Sequence, residues 1–339
     1  AFVDHRRIHP TKQKKAFKDG KAYMEHMLRN EEAVDRVVGT IKGLAGLKYL
    51  AGRVSAPAVN LTALVTSVPA TMNAYGNIPI HKVPIYLARA SKGYYDYKWG
   101  GTKPPKWVSD LFKEIETKGW HKAQYNREAL SVLQSKVGRG WSRAIEISMM
   151  GFGATEQLNR VSTIAGAYMA IKAQTPASQF DHETVLKTAK EVSDKAHAVY
   201  GKQNYPYLAR GGKLARLIQL GYVFKTFSHN YLLTMKEVGL DQKNAKAFAY
   251  MALSPAVLAG TGALVGKQAI FGLANLILKA FDMDSDDPEE SFYDWANESF
   301  GEYAENMARF GILGIPRVNL KGSLEIGITD IPTSLVEIL

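Results

Sequence analysis

The chain has 339 residues and a mass of 37.4 kDa, enough for two average domains or one extended one, and well beyond the size at which a fold needs disulfides. With 46% hydrophobic and 22% charged residues it is a folding sequence, and the absence of cysteine excludes disulfide frameworks, thiolate nucleophiles, Cys-based zinc sites and iron–sulfur clusters. The formal charge of +11 is unevenly spread: ten acidic residues and no basic one lie between Lys279 and Arg309, so all 43 lysines and arginines face only 22 acidic residues elsewhere. A basic body with one acidic patch is attracted to nucleic acid or to anionic lipid headgroups, unless the charge merely keeps the surface solvated.

The first residue is Ala1, with no initiator Met and no charged-then-apolar signal segment, so the expectation is a processed product or, by preference, a piece of a larger polypeptide. Residues 1–30 read as a basic N-terminal arm, where Lys12, Lys14, Lys15 and Lys18 are candidates for contact with DNA or headgroups. Residues 31–80 read as an amphipathic helix followed by uncharged helices. The first has Val34, Val37, Val38, Ile41, Leu44 and Ala45 at helical spacing behind Glu31, Glu32 and Asp35, which suit a helix N-terminus. From Val54 to Ile80 no residue is charged, long enough to cross a hydrocarbon core of about 30 Å, but Pro57 and Pro69 argue as well for a buried, kinked helix pair.

Residues 81–106, rich in Tyr, Gly, Lys and Pro, predict a connector, with Tyr94, Tyr95, Tyr97, Lys98 and Trp99 as its densest aromatic and basic cluster. Lys98 and Trp99 are candidates for the same DNA or headgroup contact, against the alternative of an interhelix loop with snorkelling lysines. Residues 107–240 predict a helical body. It opens with the stripe Trp107, Val108, Leu111, Phe112 and Ile115, followed by a long apolar helix from about Trp141 to Ala173. Behind Asp181, Val185, Ala189, Val192, Ala196 and Val199 form a narrow seam, and Leu217, Leu220, Phe224, Phe227 and Tyr231 a second one suited to a helix–helix or subunit contact.

Residues 241–280 predict an apolar helical region. Ala247 to Gly266 has the 20 uncharged residues of a span and small residues that let a second helix approach, while Pro255 and Lys267 count against a simple span. Leu258, Leu264, Ile270 and Leu273 are its candidate membrane-competent side chains, with a soluble Gly-rich core as the alternative. Residues 281–339 form an acidic segment and a C-terminal tail. With no sustained β-branched alternation, the predicted fold is all-α, an elongated multi-helix assembly with Gly- and Pro-interrupted apolar helices and no substantial sheet.

Catalytic constellations do not emerge: there is no phosphate loop, dinucleotide fingerprint or nucleophile elbow. Asp282, Asp284 and Asp286 imitate the start of a calcium loop, but Asp287 stands where Gly is needed and Tyr293 where a bidentate Glu should be. His5 and His9 lie in a basic arm that repels a metal ion. Glu156 is a single carboxylate whose natural partner is Arg160, four residues on. The expectation is a protein without catalytic residues, metal or cofactor.

Three ordered stretches are similar to a pattern in large polyproteins of tailed bacteriophages, including the internal virion proteins of short-tailed phages. They are Thr155-Glu156-Gln157-Leu158-Asn159-Arg160 with Ile164 to Tyr168, Arg210 to Leu214 leading into Phe224 to Tyr231, and Phe310-Gly311-Ile312-Leu313-Gly314-Ile315-Pro316 with Leu320 to Leu324. The stretch Ala58 to Thr62 resembles the helix that precedes them, so the likeness runs from about residue 45 to the end. It implies a virion core component that leaves the capsid with or before the genome and helps build a conduit across the host envelope. Its implied partners are other copies of itself, other phage core, portal or tail proteins, double-stranded DNA bound non-specifically, and the host inner membrane. The resemblance identifies no catalytic residue. Two other readings stay open, a helical nucleic-acid-associated domain of a phage or mobile-element polyprotein acting inside the host, and a pore-forming protein.

Overall fold

A computed structural model describes residues 60–122, 139–197, 230–263 and 288–312. Among these the chain is all-α, with helices joined by turns and no strand. The basic arm, the helix expected from Glu31, the calcium-like run at Asp282, and the candidates Lys12, Lys14, Lys15, Lys18, Leu217, Leu220, Phe224, Phe227, Leu264, Ile270 and Leu273 lie outside the described residues.

Helix α1, Ser67–Gly76, accounts for the end of the first uncharged stretch: Ser67 to Met72 are all buried. The polar residues that lower its hydropathy each have a bond to make. Ser67 Oγ donates to the Ala196 carbonyl at 2.9 Å, Thr71 Oγ1 to the Ser67 carbonyl at 3.0 Å, and Asn73 Nδ2 to the Ile78 carbonyl at 2.9 Å. Pro69 is the third residue of the helix, where an amide has no intrahelical acceptor, so it starts the helix and does not kink it. Asn77 closes it in the left-handed region at φ 51°, which asparagine tolerates better than most residues.

Helix α2, Val83–Trp99, corrects the sequence expectation, since 17 residues of the predicted connector are helical. Val83, Leu87, Ala90 and Tyr94 recur in steps of four, three and four and are buried on one side; the tyrosines, lysines and glycine between them mask that stripe. Pro84 lies in the first turn, where proline is harmless, and Gly100 at φ 78° ends the helix, so only residues 100–105 remain as a connector. Helix α3, Lys106–Thr117, buries Val108, Leu111, Phe112 and Ile115 as their spacing predicts and leaves Trp107 exposed.

Helix α4, Arg139–Gln174, is the long apolar helix, and α5, His182–His197, the seam helix. Asp181 Oδ2 caps α5 by accepting the Thr184 amide at 3.0 Å, and Val185, Leu186, Ala189 and Val192 are buried. Helices α2 and α4 form the most extensive pairing. At their crossing a Cβ on Gly166 would stand 3.2 Å from the Leu87 side chain and 3.4 Å from the Tyr86 carbonyl oxygen, so a larger residue would push α2 away. One core joins α1 to α5, centred on Met72, Tyr94, Phe112, Ile164 and Leu186.

A second core joins Ala70 of α1 to Tyr231, Met235 and Val238 and to Ala247 and Met251 of α6, Ala245–Ala259. Residues 230–236 are helical and widen into a π-turn, Glu237–Asp241, before Asn244 Oδ1 caps α6 at the Ala247 amide, 3.0 Å away. Pro255 stands inside α6 and has no N–H for the Met251 carbonyl four residues back. The Tyr231 hydroxyl donates to that carbonyl at 2.7 Å and so replaces the missing bond.

The uncharged stretch from Ala247 to Gly266 is broken, not one continuous helix: α6 stops at Ala259, and Gly260 turns the chain at φ 80°. The stop is enforced by a backbone crossing. A Cβ on Gly260 would come within 2.2 Å of the Arg309 carbonyl oxygen, and one on Gly311, at φ 67°, within 2.3 Å of the Leu258 backbone. Leu258 is half-buried there. Among the described residues no helix is long and apolar enough to cross a membrane. The acidic segment forms the pair α7, Pro288–Phe300, and α8, Glu302–Phe310, hinged at Gly301 with φ 86°.

Candidate functional site

The Thr155–Arg160 motif on α4 lies inside the first core and is engaged by its neighbours. Arg160 is 1% and Glu156 4% exposed, and Arg160 Nε donates to Glu156 Oε1 at 3.3 Å, the i, i+4 pair the sequence suggests. Gln157 Nε2 donates to the Tyr94 hydroxyl at 2.6 Å, which itself donates to Glu116 at 3.2 Å. Asn159 Nδ2 donates to the Asn60 carbonyl at 2.6 Å, tying the uncharged N-terminal stretch to α4. One turn on, Thr163 Oγ1 stands 2.7 Å from His197 Nε2 at the end of α5. Burial and then the Arg160 charge push the His197 imidazole down to about 3, against a bond to the Asn159 backbone, so it is neutral at ordinary pH. This seam registers α2, α4, α5 and the residue Asn60 before α1. Its side chains are buried or half-buried between the helices.

Between α3 and α5 a second cluster joins Tyr168, His182, Glu114, Lys118 and Glu183. His182 takes the Tyr168 hydroxyl at 2.7 Å on Nδ1 and Glu114 at 2.9 Å on Nε2, while Lys118 Nζ is 2.8 Å from Glu114 and 3.6 Å from Glu183. Burial works against the Glu114 carboxylate, but hydrogen bonds and charge from Lys118 and His182 hold it below its usual range. The carboxylates and the imidazole are close enough to share a metal ion. Lys118 already supplies their positive charge, so the arrangement is an ion-pair lock between helices.

The open feature is a groove of about 670 Å³ between α2, the turn before α3, and the C-terminal part of α4. Pro104, Pro105, Trp107, Val108 and Met169 line its wall, with Arg89, Lys92, Lys103 and Lys172 around it. Lys172 Nζ stands 4.0 Å over the Trp107 ring, a cation–π contact that holds the ammonium at the mouth. Lys92 pairs with Asp96 at 2.6 Å; Arg89 and Lys103 have no carboxylate partner among the described residues. An apolar wall ringed by cations, three of them without a carboxylate partner among the described residues, suits an anion with a flat or apolar part.

The sequence candidates fall elsewhere. Lys98 Nζ is 2.6 Å from Glu116, so it is engaged inside the fold; Trp99 is exposed and its ring packs 5.3 Å from that of Tyr95. Tyr231 is buried in the second core, the packing role its spacing suggests. The groove residues went unselected because they are 83 positions apart at the extremes, Arg89 to Lys172, and only the α2–α4 pairing brings them together. A helical reading of residues 83–99 would have placed Arg89, Lys92 and Asp96 on one face.

The chain matches no family model, no curated protein and no solved structure.

Proposed function

We propose that the chain is a non-catalytic structural component of a phage particle, an internal or ejection protein that holds DNA by its phosphates while the genome leaves. The observation that carries the DNA-binding part is the groove: Arg89, Lys92, Lys103 and Lys172 around an apolar wall, with Arg89 and Lys103 free of carboxylates among the described residues. The virion part rests on the three ordered motifs, of which Thr155–Arg160 serves here as the interior seam and Phe310-Gly311 as the backbone crossing. Both uses are architectural, which supports a binding and scaffolding role over catalysis.

Phosphate contacts position a protein without reading sequence, so binding should be independent of base sequence and should weaken steeply with salt. Mass spectrometry of purified particles tests the virion assignment. Peptides of this chain should be present in the particles; their restriction to infected-cell lysate would contradict it.

A further inference from the structure

Helices α7 and α8 hold aromatic side chains outward. Successive ring centroids of Phe292, Trp295 and Phe300 are 5.8 Å and 5.6 Å apart, so the three rings form one continuous ladder. Trp295 is 53% and Phe300 70% exposed, while Tyr293 and Ala296 on the opposite side are buried. Contiguous exposed aromatics of this kind mark a contact surface, because their burial is favourable and their rigidity makes it specific. Asp294, Glu298 and Glu302 are exposed on the same two helices, and no lysine or arginine lies between Lys279 and Arg309. Its complement must therefore be an apolar recess with a positive rim.

This chain carries such a recess, the groove between α2, α3 and α4, with prolines, Trp107 and Met169 in its wall and cations at its edge. Within one copy the ladder is exposed and the groove is open, so the two are not in contact with each other. We propose that the aromatic face of α7 and α8 seats in the α2–α3–α4 groove of a second copy. Charge complementarity selects this occupant, since an acidic aromatic face meets an apolar groove with basic residues at its edge. The two patches differ, so the contact is head-to-tail and continues from copy to copy into a ring or an open filament. It uses the groove assigned above to phosphates, but it does not depend on that assignment, and DNA should compete with it.

The test is complementation between two variants of the full chain, followed by sedimentation in the absence of DNA. One variant carries Trp295→Asp with Phe300→Asp, the other Arg89→Glu with Lys172→Glu; far-UV circular dichroism establishes that both keep their helices. Wild type should associate with rising concentration, and less so in salt. Each variant alone should stay monomeric. An equimolar mixture should give a dimer and nothing larger, because one copy still offers a face and the other a groove.

Trp295→Ser and Lys172→Gln replace any variant that loses its helices. A wild type that stays monomeric across the concentration series, or a mixture that stays monomeric, overturns the proposal; a groove variant that still associates on its own would indicate a face-to-face contact instead. A monomeric wild type whose face variant alone loses flotation with phosphatidylcholine vesicles would assign the ladder to lipid. Failure of DNA to bind would sink the phosphate reading and leave the sedimentation result standing.

Discussion

The five-helix body and the α7–α8 pair distribute polar and apolar side chains in opposite ways. In the body, Glu156 and Arg160 pair within α4, Asn159 donates to Asn60 just before α1, and Thr163 meets His197 at the end of α5, all of them buried on the α4 side. In the pair, α8 has no buried residue at all, while Trp295, Phe300 and Tyr303 face outward at 53%, 70% and 82% exposure. Arg309 holds the pair together from the outside, with Glu290 at 2.9 and 2.6 Å, Glu305 at 2.7 Å and the Tyr293 ring 4.1 Å beneath it. Interior polar groups bonded across helices specify a register; exposed aromatics that pack only on one another among the described residues offer a contact. The body is built to be itself, and the pair to meet something.

Substitutions that break this contrast should differ most in the body. Arg160→Leu removes the buried cation that pairs with the Glu156 carboxylate and should cost about 3–5 kcal/mol, as should Phe112→Ala through the cavity it leaves. Urea unfolding followed by circular dichroism measures both, and a loss under about 1 kcal/mol for either would remove the seam or the core from the account.

The pH dependence follows with a definite sign. Below pH 6.5 the unfolded chain protonates His197, whereas the folded chain does so only near 3. Stability is thus whole above pH 6.5 and falls as pH drops toward 3, by up to about 1.4 kcal/mol per unit from this group. Unfolding free energies at stepped pH should lose that share of their slope when His197 is replaced by Gln.

Tyr231→Phe removes the hydroxyl that serves the Met251 carbonyl and leaves a buried acceptor, which should cost about 1–3 kcal/mol. The companion change Pro255→Ala restores an amide to that carbonyl, so the tyrosine substitution should be milder in its presence. A double-mutant cycle with no coupling would mean that the two residues do not share the carbonyl. At the small end, Trp295→Ser should shift stability by no more than about 0.5 kcal/mol, because its ring packs only on the edge of the ladder. A large loss of melting temperature would move that side chain from contact surface to core.

The sequence announces the body wherever a stripe is clean. Val108, Leu111, Phe112 and Ile115, the Val185 to Val192 seam behind Asp181, and the Glu156–Arg160 pair all appear at their own spacing, because local periodicity carries that information. It hides α2, whose buried Val83, Leu87, Ala90 and Tyr94 are interleaved with turn-forming residues. Uncharged length suggested spans that the fold does not build in the described residues: α1 is closed by Asn77 in the left-handed region, and α6 stops at Gly260 for a crossing with Gly311, 51 positions away. The groove was the least legible of all, since a concave cluster from α2, α3 and α4 exists only once those helices have packed.

Whether the groove holds phosphates decides between a DNA-binding role and a purely scaffolding one. The direct measurement is the slope of log affinity against log salt for a random-sequence duplex, compared between wild type and Arg89→Ala with Lys103→Ala. If four cations engage the backbone, wild type should give a slope of about −3.6 from the groove, and the double variant should lose about 1.8 of it while melting at the wild-type temperature. A variant with unchanged affinity and unchanged slope would show that the phosphates are held elsewhere on this basic chain.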